Sequence, residues 1–394
     1  MIMKHIKELN IKNKTLLIRF DYNVPIENNM IINDFRIQSS FKTIDYCLSK
    51  NASIVIMSHL GRPNGVDLKF SLKPIYDYLK KYYNRKMFFS EDCISEEAIE
   101  ISKNLNPGEI HILENLRFYD EESSNDDSFS AKLSKHAEIY VCDSFGTAHR
   151  EHSSNSKVLK YFKNSCIGYI ISREFKYLNV NDSDGAGVVI GGAKISTKIK
   201  MINYFLDNSD IIFIGGAMLF TFLKSQNINI GLSKVEENML NIASDVIKKA
   251  KKMNKKIIFP LDLVCVKDTI DSKRIFIKDI DKLENNDIGL DIGPKTVNLF
   301  IENMKNLKSI IWNGPLGYFE NKDFSKGTIE ISKYLKKLNN VSTIIGGGDT
   351  VSAIELYDNI DGFTHVSTGG GASLKLLSGE KLNLTKSWEL YSNE

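Results

Sequence analysis

The sequence predicts an α/β protein built as two doubly wound, Rossmann-like domains, each a parallel sheet with helices on both faces. Three observations carry this prediction. Short β-branched runs alternate with longer amphipathic stretches along the whole chain, the pattern of βαβ units. The runs are apolar throughout rather than alternating, as strands buried on both faces must be. They are also too many for one comfortable sheet, and 394 residues is ample length for two domains.

In order, the strand-like runs are "TLLIRF" (15–20), "SIVIM" (53–57), "IHILE" (110–114), "EIYVC" (138–142), "GVVIG" (187–191), "DIIFIG" (210–215), "KIIFP" (256–260), "SIIW" (309–312) and "STIIGG" (342–347). Helical periodicity falls near 36–50, 71–83, 194–207, 217–226, 236–252, 294–306 and 325–338. The boundary lies in "GYIISREFKYLNVNDSDGAG" (168–187), which begins as a helix and ends as a turn-rich loop. The acidic stretch "DEESSNDDS" (120–128) reads as a solvated connection with a helix N-cap, and "IKKAKKMNKK" (247–256) as the solvated end of a helix.

Composition excludes several classes. A net charge of +3 with both signs abundant offers no field for nucleic acid or a membrane surface. The N-terminus "MIMKHIKELNIKNK" lacks an apolar signal core, and no apolar run reaches the ~18–20 residues of a membrane span. Cys47, Cys93, Cys142, Cys166 and Cys265 are widely spaced with no CxxC, which reads as buried free thiols in a cytoplasmic protein.

Ligands of open parallel sheets bind beyond the carboxyl ends of the strands, and the two halves end their strands differently. In the first half the ends are mostly cationic: Arg19, Asp21 and Asn23 in "IRFDYN", His59 and Arg62 in "SHLGR", Arg117 in "LENLRF", and His149 and Arg150 in "DSFGTAHR". Arg36 follows a short loop after the first of these. So many cations converging in one crevice would repel one another without an anion, and arginine forks match phosphate and carboxylate oxygens. In the second half the ends are glycine turns: "GGAK" (191–194), "GGAM" (215–218), "NGPLG" (313–317), "GGGDT" (346–350) and "STGGGAS" (367–373). Glycine before a helix lets backbone N–H groups approach phosphate. GxxxxGK[ST] and GxGxxG are both absent, so the site would use several short turns. Asp349 at a helix N-terminus is a carboxylate suited to Mg2+, and Lys194 and Lys198, spaced i,i+4, are expected on one helix face with an anion between them. HExxH and GxSxG are missing.

These stretches, with "RFDYNVP" (19–25), "DFRI" (34–37), "SHLGRP" (58–63), "GGAKISTKI" (191–199), "DIGPKT" (291–296) and "WNGPLGYFE" (312–320) in order over essentially the whole chain, closely resemble the phosphoglycerate kinases. The resemblance implies two domains facing across a cleft and joined by a helix. Residues 1–170 would bind 3-phosphoglycerate or 1,3-bisphosphoglycerate, 171–186 would be the interdomain helix and hinge, 187–379 would bind ATP or ADP with Mg2+, and the tail 380–394 would pack back on the first domain. It further implies that Asp21, Asn23, His59, Arg62, Arg117 and Arg150 bind phosphoglycerate, while Arg36, Lys194 and Lys198 contact the transferring phosphoryl group. Gly215 and Gly216 would border the adenine, Asn313 the nucleotide phosphates and Glu320 the ribose. Asp349 would take the metal, and Gly346, Gly347, Gly348, Thr350, Gly369 and Gly370 would offer amides to the phosphates. Departures at Phe20, Tyr22, Ser144 and Ala217 spare the charged groups; the tail after Gly379 is less typical.

The reaction so implied is reversible phosphoryl transfer between 1,3-bisphosphoglycerate and ADP, by a monomer. The nucleophile of the ATP-consuming direction is a carboxylate already ionised at neutral pH, so no general base is required. Positioning and charge neutralisation suffice, and sites on two domains would meet only on closure. A non-catalytic two-domain binding protein would explain the cationic crevice, but not the lysine pair, Asp349 or the second, glycine-lined crevice. A dehydrogenase would need the missing dinucleotide fingerprint.

Overall fold

The structure, a computed structural model, describes residues 3–179 and 185–391. Residues 180–184 of the expected hinge and 392–394 of the expected tail lie outside the described residues. Two units form: Met1–Lys176 with Lys381–Glu394, and Tyr177–Glu380.

The first unit holds strands β1 (Thr15–Arg19), β4 (Ser53–Met57), β5 (Met87–Ser90), β6 (Ile110–Leu113), β7 (Ile139–Cys142) and β8 (Ser165–Ile167), and a small hairpin of β2 (Ile26–Glu27) and β3 (Met30–Ile31). The six form one parallel sheet in the order β5-β6-β4-β1-β7-β8. β1 sits at its centre, buried between β4 and β7, with Arg19 opposite both Met57 and Cys142. Because the pairing is parallel, the chain leaves β1, β4, β6 and β7 on the same edge. Leu16, Ile18, Ile54, Ile56, Ile110, Ile112 and Val141 pack with Ile37, Ile44 and Cys47 of the helix Phe35–Ser49. Each such side chain, fully buried, contributes roughly 1.5–3 kcal/mol.

The second unit holds β9 (Ala186–Ile190), β10 (Ile211–Ile214), β11 (Lys256–Ile258), β12 (Asp262–Lys267), β13 (Phe276–Asp279), β14 (Asp287–Ile292), β15 (Ser309–Asn313), β16 (Ser342–Gly346) and β17 (His365–Val366). Six of them form a parallel sheet, β11-β10-β9-β15-β16-β17. Its core joins Val189, Phe213, Trp312 and Ile345 to Phe300, Ile331 and Ile354 from the covering helices. The other three make an antiparallel sheet, β13-β12-β14, which the apolar-run criterion does not find: "DLVCVK" and "DIGLDI" carry Asp and Gly within the strand. β5, β8 and β17 are likewise unanticipated.

The boundary between units falls inside the helix Tyr169–Leu178. The carboxylate of Asp143 holds the start of that helix, accepting from Ile171 N at 3.1 Å and from the Thr43 hydroxyl. Burial pushes its pKa up to about 7. At the other end of the chain the helix Asn383–Tyr391 packs within the first unit. Leu384 N donates to Ala148 O at 3.0 Å, Ser387 Oγ meets Ser156 Oγ at 2.6 Å, and Trp388 is buried. The five cysteines are free and buried, and no helix among the described residues is long and apolar enough to cross a membrane.

Helix Glu96–Lys103 shows how polar groups also bind the first unit. Ser95 caps it, accepting from Ala98 N at 3.2 Å, with Glu96 and Glu97 in the first turn and Lys103 in the last, matching the helix dipole. On its buried face Ser102 Oγ meets His111 Nδ1 at 2.8 Å and His136 Nδ1 at 2.7 Å; Ser90 Oγ meets His111 Nε2 at 2.7 Å. His136 Nε2 lies 3.1 Å from the Cys93 carbonyl, which can only accept, so that nitrogen carries the proton. Burial lowers the His111 pKa to about 3 and that of His136 to about 4. Both rings are therefore neutral when folded and take protons only on unfolding. Their stabilising effect is complete above pH 6.5, the ordinary histidine value, and is lost as pH falls from there toward the folded values. The stability of wild type against thermal unfolding should fall over that window with a slope of up to about 1.4 kcal/mol per pH unit for each ring. His111→Gln should be less stable at pH 7.5 yet show a shallower slope. An equal slope in wild type and variant would show that His111 is not kept neutral.

Candidate active site

Beyond β1 the chain runs Phe20–Asn23, and Ser58 at the end of β4 ties this turn down: Tyr22 N donates to Ser58 Oγ at 2.8 Å and Ser58 Oγ to Phe20 O at 2.9 Å. Asp21 then faces Arg36 from the first turn of the helix Phe35–Ser49, Oδ2 to Nη1 at 2.9 Å, and the same nitrogen donates to Asn23 O at 3.2 Å. Asn23 Oδ1 accepts from Gly61 N at 2.8 Å, joining the first loop to the one carrying His59 and Arg62. That loop is braced from β6: Asn115 takes Leu60 N at 3.2 Å, gives to Leu60 O at 2.8 Å, and also accepts Arg117 N at 3.0 Å. Arg117 Nη1 reaches back to Gly61 O at 2.6 Å. The structure thus brings Asp21, Asn23, Arg36, His59 and Arg117 together at one strand edge. Arg62 and Arg150 lie close enough to lower the Arg150 pKa, after burial the first cause. Burial, then Arg150 and Arg19, lowers Arg117 to about 10. His59 is buried and pushed well below the ordinary histidine value, by burial first and by Arg19, Arg117, Arg150 and Arg36 after it. This is a positive field that an anion would relieve.

Two residues behave differently from expectation here. Arg19 is not an open cation: it is fully buried, with Nε donating to Ser154 Oγ at 2.9 Å and Nη2 at 3.0 Å from His59 Nδ1. Glu122, inside the acidic stretch read as solvated, is also fully buried and accepts from Ser154 Oγ at 2.7 Å and Ser154 N at 2.9 Å. The N-cap part of that reading holds, with Phe129 N donating to Asp126 at 2.8 Å.

In the second unit three glycine turns interlock. Gly192 N donates to Pro315 O at 2.9 Å, Gly216 N to Leu316 O at 3.0 Å, and Gly191 N to Asn313 O at 3.0 Å; Gly215 N is used in the ladder to Ile190 O. Gly216 (φ 66°) and Gly314 (φ 100°) are left-handed, and a Cβ on either would strike backbone, Gly192 N at 2.4 Å or Gly191 O at 2.2 Å. Glycine at these turns therefore serves close backbone packing, and these amides are not available to phosphate. A cavity of about 550 Å³ opens beside them. It is bordered by Gly216, Glu320 and Asp349 and floored by Leu263, Ile288 and Leu290 from the unanticipated antiparallel sheet. Its size and apolar floor suit a nucleoside.

Amides are available at two helix N-termini instead. The helix Gly348–Glu355 follows Gly347 (φ 94°), with Asp349 exposed in its first turn, and the helix Gly370–Leu376 begins alongside it. A Cβ on Gly370 would lie 3.8 Å from Gly348 N, so the two positive helix ends converge. Thr350 is buried, its hydroxyl spent on Gly314 N (2.7 Å) and Gly346 O (2.9 Å), leaving only its amide to offer. Asn313 is buried with Nδ2 unpartnered, and Gly346 and Gly347 lie against that nitrogen. Its Oδ1 accepts from Lys198 Nζ.

The lysine pair needs correction. Lys194 is extended (φ −136°, ψ 126°) before a 3-10 turn Ile195–Thr197, and the helix starts only at Ile199. The two lysines therefore do not share a helix face. Lys194 is exposed; Lys198, half-buried, has its pKa lowered to about 8 by burial, which Asp349 partly opposes. Among the described residues no three His, Cys, Asp or Glu side chains cluster as a metal site, so Asp349 stands as a single carboxylate. Glu122, Ser154, the inward turn of Arg19 and the antiparallel sheet are what sequence reasoning missed. Only the charge of Arg19 and Glu122 beside the site motifs hinted at them.

The family profile described as phosphoglycerate kinase matches residues 6–380. The chain is 43% identical over 385 residues to a phosphoglycerate kinase of Finegoldia magna, covering 96% of this chain and 97% of that one. It is 41% identical over 381 residues to the cytosolic phosphoglycerate kinase of Triticum aestivum, covering 95% of each. The solved structure of phosphoglycerate kinase from Coxiella burnetii superposes with a TM-score of 0.89 at 32% identity, covering 99% of this chain and all of that one. With two parallel-sheet α/β units of this topology and a match over nearly its whole length, the chain belongs to the phosphoglycerate kinase family and is a phosphotransferase that moves a phosphoryl group reversibly between 1,3-bisphosphoglycerate and ADP, yielding 3-phosphoglycerate and ATP.

Proposed function

We propose that the two units divide the substrates. Residues 1–170 bind the phosphoglycerate through Asp21, Asn23, Arg36, His59, Arg62, Arg117 and Arg150, and residues 187–379 bind the nucleotide, with 171–186 as the hinge between them. The observation that carries this is the cationic strand edge of the first unit, where Arg36, Arg117, Arg150 and His59 gather about Asp21, with Arg62 beside Arg150. Guanidinium forks fit a small anion with a phosphate at one end and a carboxylate at the other. In the second unit the nucleoside takes the 550 Å³ cavity, bordered by Gly216 but not by Gly215, with Glu320 toward the ribose. The phosphates take the amides of Gly346–Thr350 and Gly370 and the free Nδ2 of Asn313; Gly369 N is already spent on Ser367 Oγ at 3.2 Å.

Phosphoglycerate kinases use MgATP, and Asp349 is the carboxylate we assign to the metal. The cation is carried in on the nucleotide phosphates, as Mg2+ ordinarily is, and when bound it neutralises phosphate charge. Arg36, Lys194 and Lys198 act on the transferring group by charge alone. No residue need take a proton, since the accepting carboxylate is already ionised. We read the chain as a cytoplasmic monomer, its buried free thiols suiting a reducing compartment.

Lys198→Ala should lower kcat by orders of magnitude with modest change in nucleotide affinity, and Arg62→Ala should chiefly raise KM for 3-phosphoglycerate. Steady-state kinetics with calorimetric nucleotide binding separates the two, and near-normal kcat in Lys198→Ala would remove that residue from the mechanism. Lys198 must be charged to act and has a pKa of about 8 in the free protein, so kcat/KM should fall as pH rises through about 8. The corresponding limb of kcat should move to higher pH once phosphates are bound. In Lys198→Arg that limb should vanish from both profiles.

A second outcome concerns salt. If the arginines are free for ligand, KM for 3-phosphoglycerate rises steadily with ionic strength, because chloride and sulfate compete and screening weakens attraction. A KM unchanged from low to high salt would mean that carboxylates of the protein already satisfy them.

A further inference from the structure

Glu122, Ser154 and Arg19 form a chain of hydrogen bonds that ends on His59. Each link has one possible direction. Arginine can only donate, so Arg19 Nη2, 3.0 Å from His59 Nδ1, makes that nitrogen an acceptor. The ring proton must then sit on Nε2. Arg19 Nε, at 2.9 Å, likewise donates to Ser154 Oγ, so the Ser154 hydroxyl proton is free to go to Glu122 Oε1 at 2.7 Å. A second bond from Ser154 N to Glu122 Oε2 at 2.9 Å holds the carboxylate in place, and Arg19 Nη1 is occupied by Phe20 O. Arg19, Ser154, Glu122 and His59 are all at most 3% exposed, so water does not compete for these bonds.

We infer that Glu122 and Ser154 are positioning residues for the phosphoglycerate site: acting through Arg19, they hold His59 as a neutral imidazole with its proton fixed on Nε2. This rests on the reading of His59 as a ligand contact. On that reading His59 supplies a hydrogen-bond donor of fixed direction, and the charge for the anion comes from the arginines. The groups facing the ring agree with neutrality. Arg19 from β1, Arg36 from the helix Phe35–Ser49, Arg117 after β6 and Arg150 after β7 all oppose a second proton. Asp21, with Oδ1 at 3.8 Å from Nδ1, favours one but is itself engaged by Arg36. His152 lies 3.7 Å from Glu122 Oε1 and is held neutral by burial, with a pKa of about 3.

The test is a nitrogen NMR spectrum of the full chain carrying 15N-histidine, recorded without substrate from pH 6.5 to 8, with the His59 signals assigned by their loss in His59→Gln. The expected result is one unprotonated Nδ1 and one protonated Nε2, both unmoved by pH. A ring titrating near 6.5, or carrying its proton on Nδ1, would overturn the proposal, and wild type alone decides this. In Ser154→Ala the His59 signals should move toward a mixture of tautomers and KM for 3-phosphoglycerate should rise by about tenfold, with kcat nearly unchanged; Ser154→Thr, which keeps the hydroxyl, should restore both. If Ser154→Ala loses only thermal stability while spectrum and KM stay as in wild type, the relay is merely structural and the proposal fails. Failure of the site reading looks different: the wild-type spectrum is as expected, but His59→Gln leaves KM for 3-phosphoglycerate unaltered.

Discussion

Parallel, in-register pairing around β1 is the constraint on which the first unit depends. With Arg19 level with Met57 on one side and Cys142 on the other, the segments after β1, β4 and β7 leave the sheet at one height. A slip of one residue would turn Arg19 to the opposite face and carry Asp21 with it, since side chains alternate along a strand. What holds the register is ordinary burial. Leu16, Ile18, Ile54 and Ile56 are fully buried against Ile37, Ile44 and Cys47 of the helix Phe35–Ser49, and a slip would turn all four away from that contact together. The hydrophobic pattern of the strands thus sets the positions of charged groups beyond their ends, and Ser58 and Asn115 then fix the loops by hydrogen bonds to backbone.

The same edge concentrates positive charge to a degree that folding alone does not favour. Arg117 and Arg150 both lose some affinity for protons, to burial first and then to a neighbouring arginine, Arg150 in the one case and Arg62 in the other. A carboxylate at each arginine would have removed that tension. The chain instead places Glu122 beneath the surface, against Arg19 at 4.0 Å, and leaves Asp21 to Arg36. Charge is thereby compensated where it is structural and left unbalanced where an anionic ligand would sit. Binding of the phosphoglycerate we assign to this edge would stabilise the folded state by mass action, and relief of the field would be part of its affinity.

How much was legible follows from which physics the sequence displays locally. Strands buried on both faces announce themselves as continuous apolar runs, and β1, β4, β9, β10 and β15 were read within a residue or so of their ends. β12 and β14 were not, because each begins on an aspartate that is itself fully buried, Asp262 or Asp287, and Gly289 and Asp291 interrupt the apolar run of β14. Cationic strand ends were legible as types, but not their orientation. Arg19 and Arg117 look alike in sequence, yet Arg19 turns inward to Ser154. Glu122 was hidden by its acidic neighbours, since nothing local marks the one carboxylate that a distant serine will bury. Lys194 and Lys198 were misjudged because i,i+4 spacing implies a shared face only if the helix has already begun, and here it begins after both.

The glycine turns make the complementary point in the second unit. Their N–H groups at 191, 192, 215 and 216 are consumed in holding β9, β10 and β15 loops together, so glycine there is a packing residue. The donors that remain are those at the starts of two helices, where the helix itself leaves N–H groups unpaired. In the division of substrates we propose, the two units attract phosphate by different means: full charges on flexible side chains in one, fixed partial charges of the backbone in the other. Guanidinium groups adapt to a small acid that is all charge. Backbone amides beside an apolar cavity suit a ligand whose larger part is a nucleoside, and they add no cation that would trap the product anion. Lys198 is the exception that joins the two modes, a half-buried ammonium held by Asn313 at a pKa low enough to respond to the arrival of phosphate charge. Its position at the mouth of the helix, rather than on its face, is what leaves it free to do so.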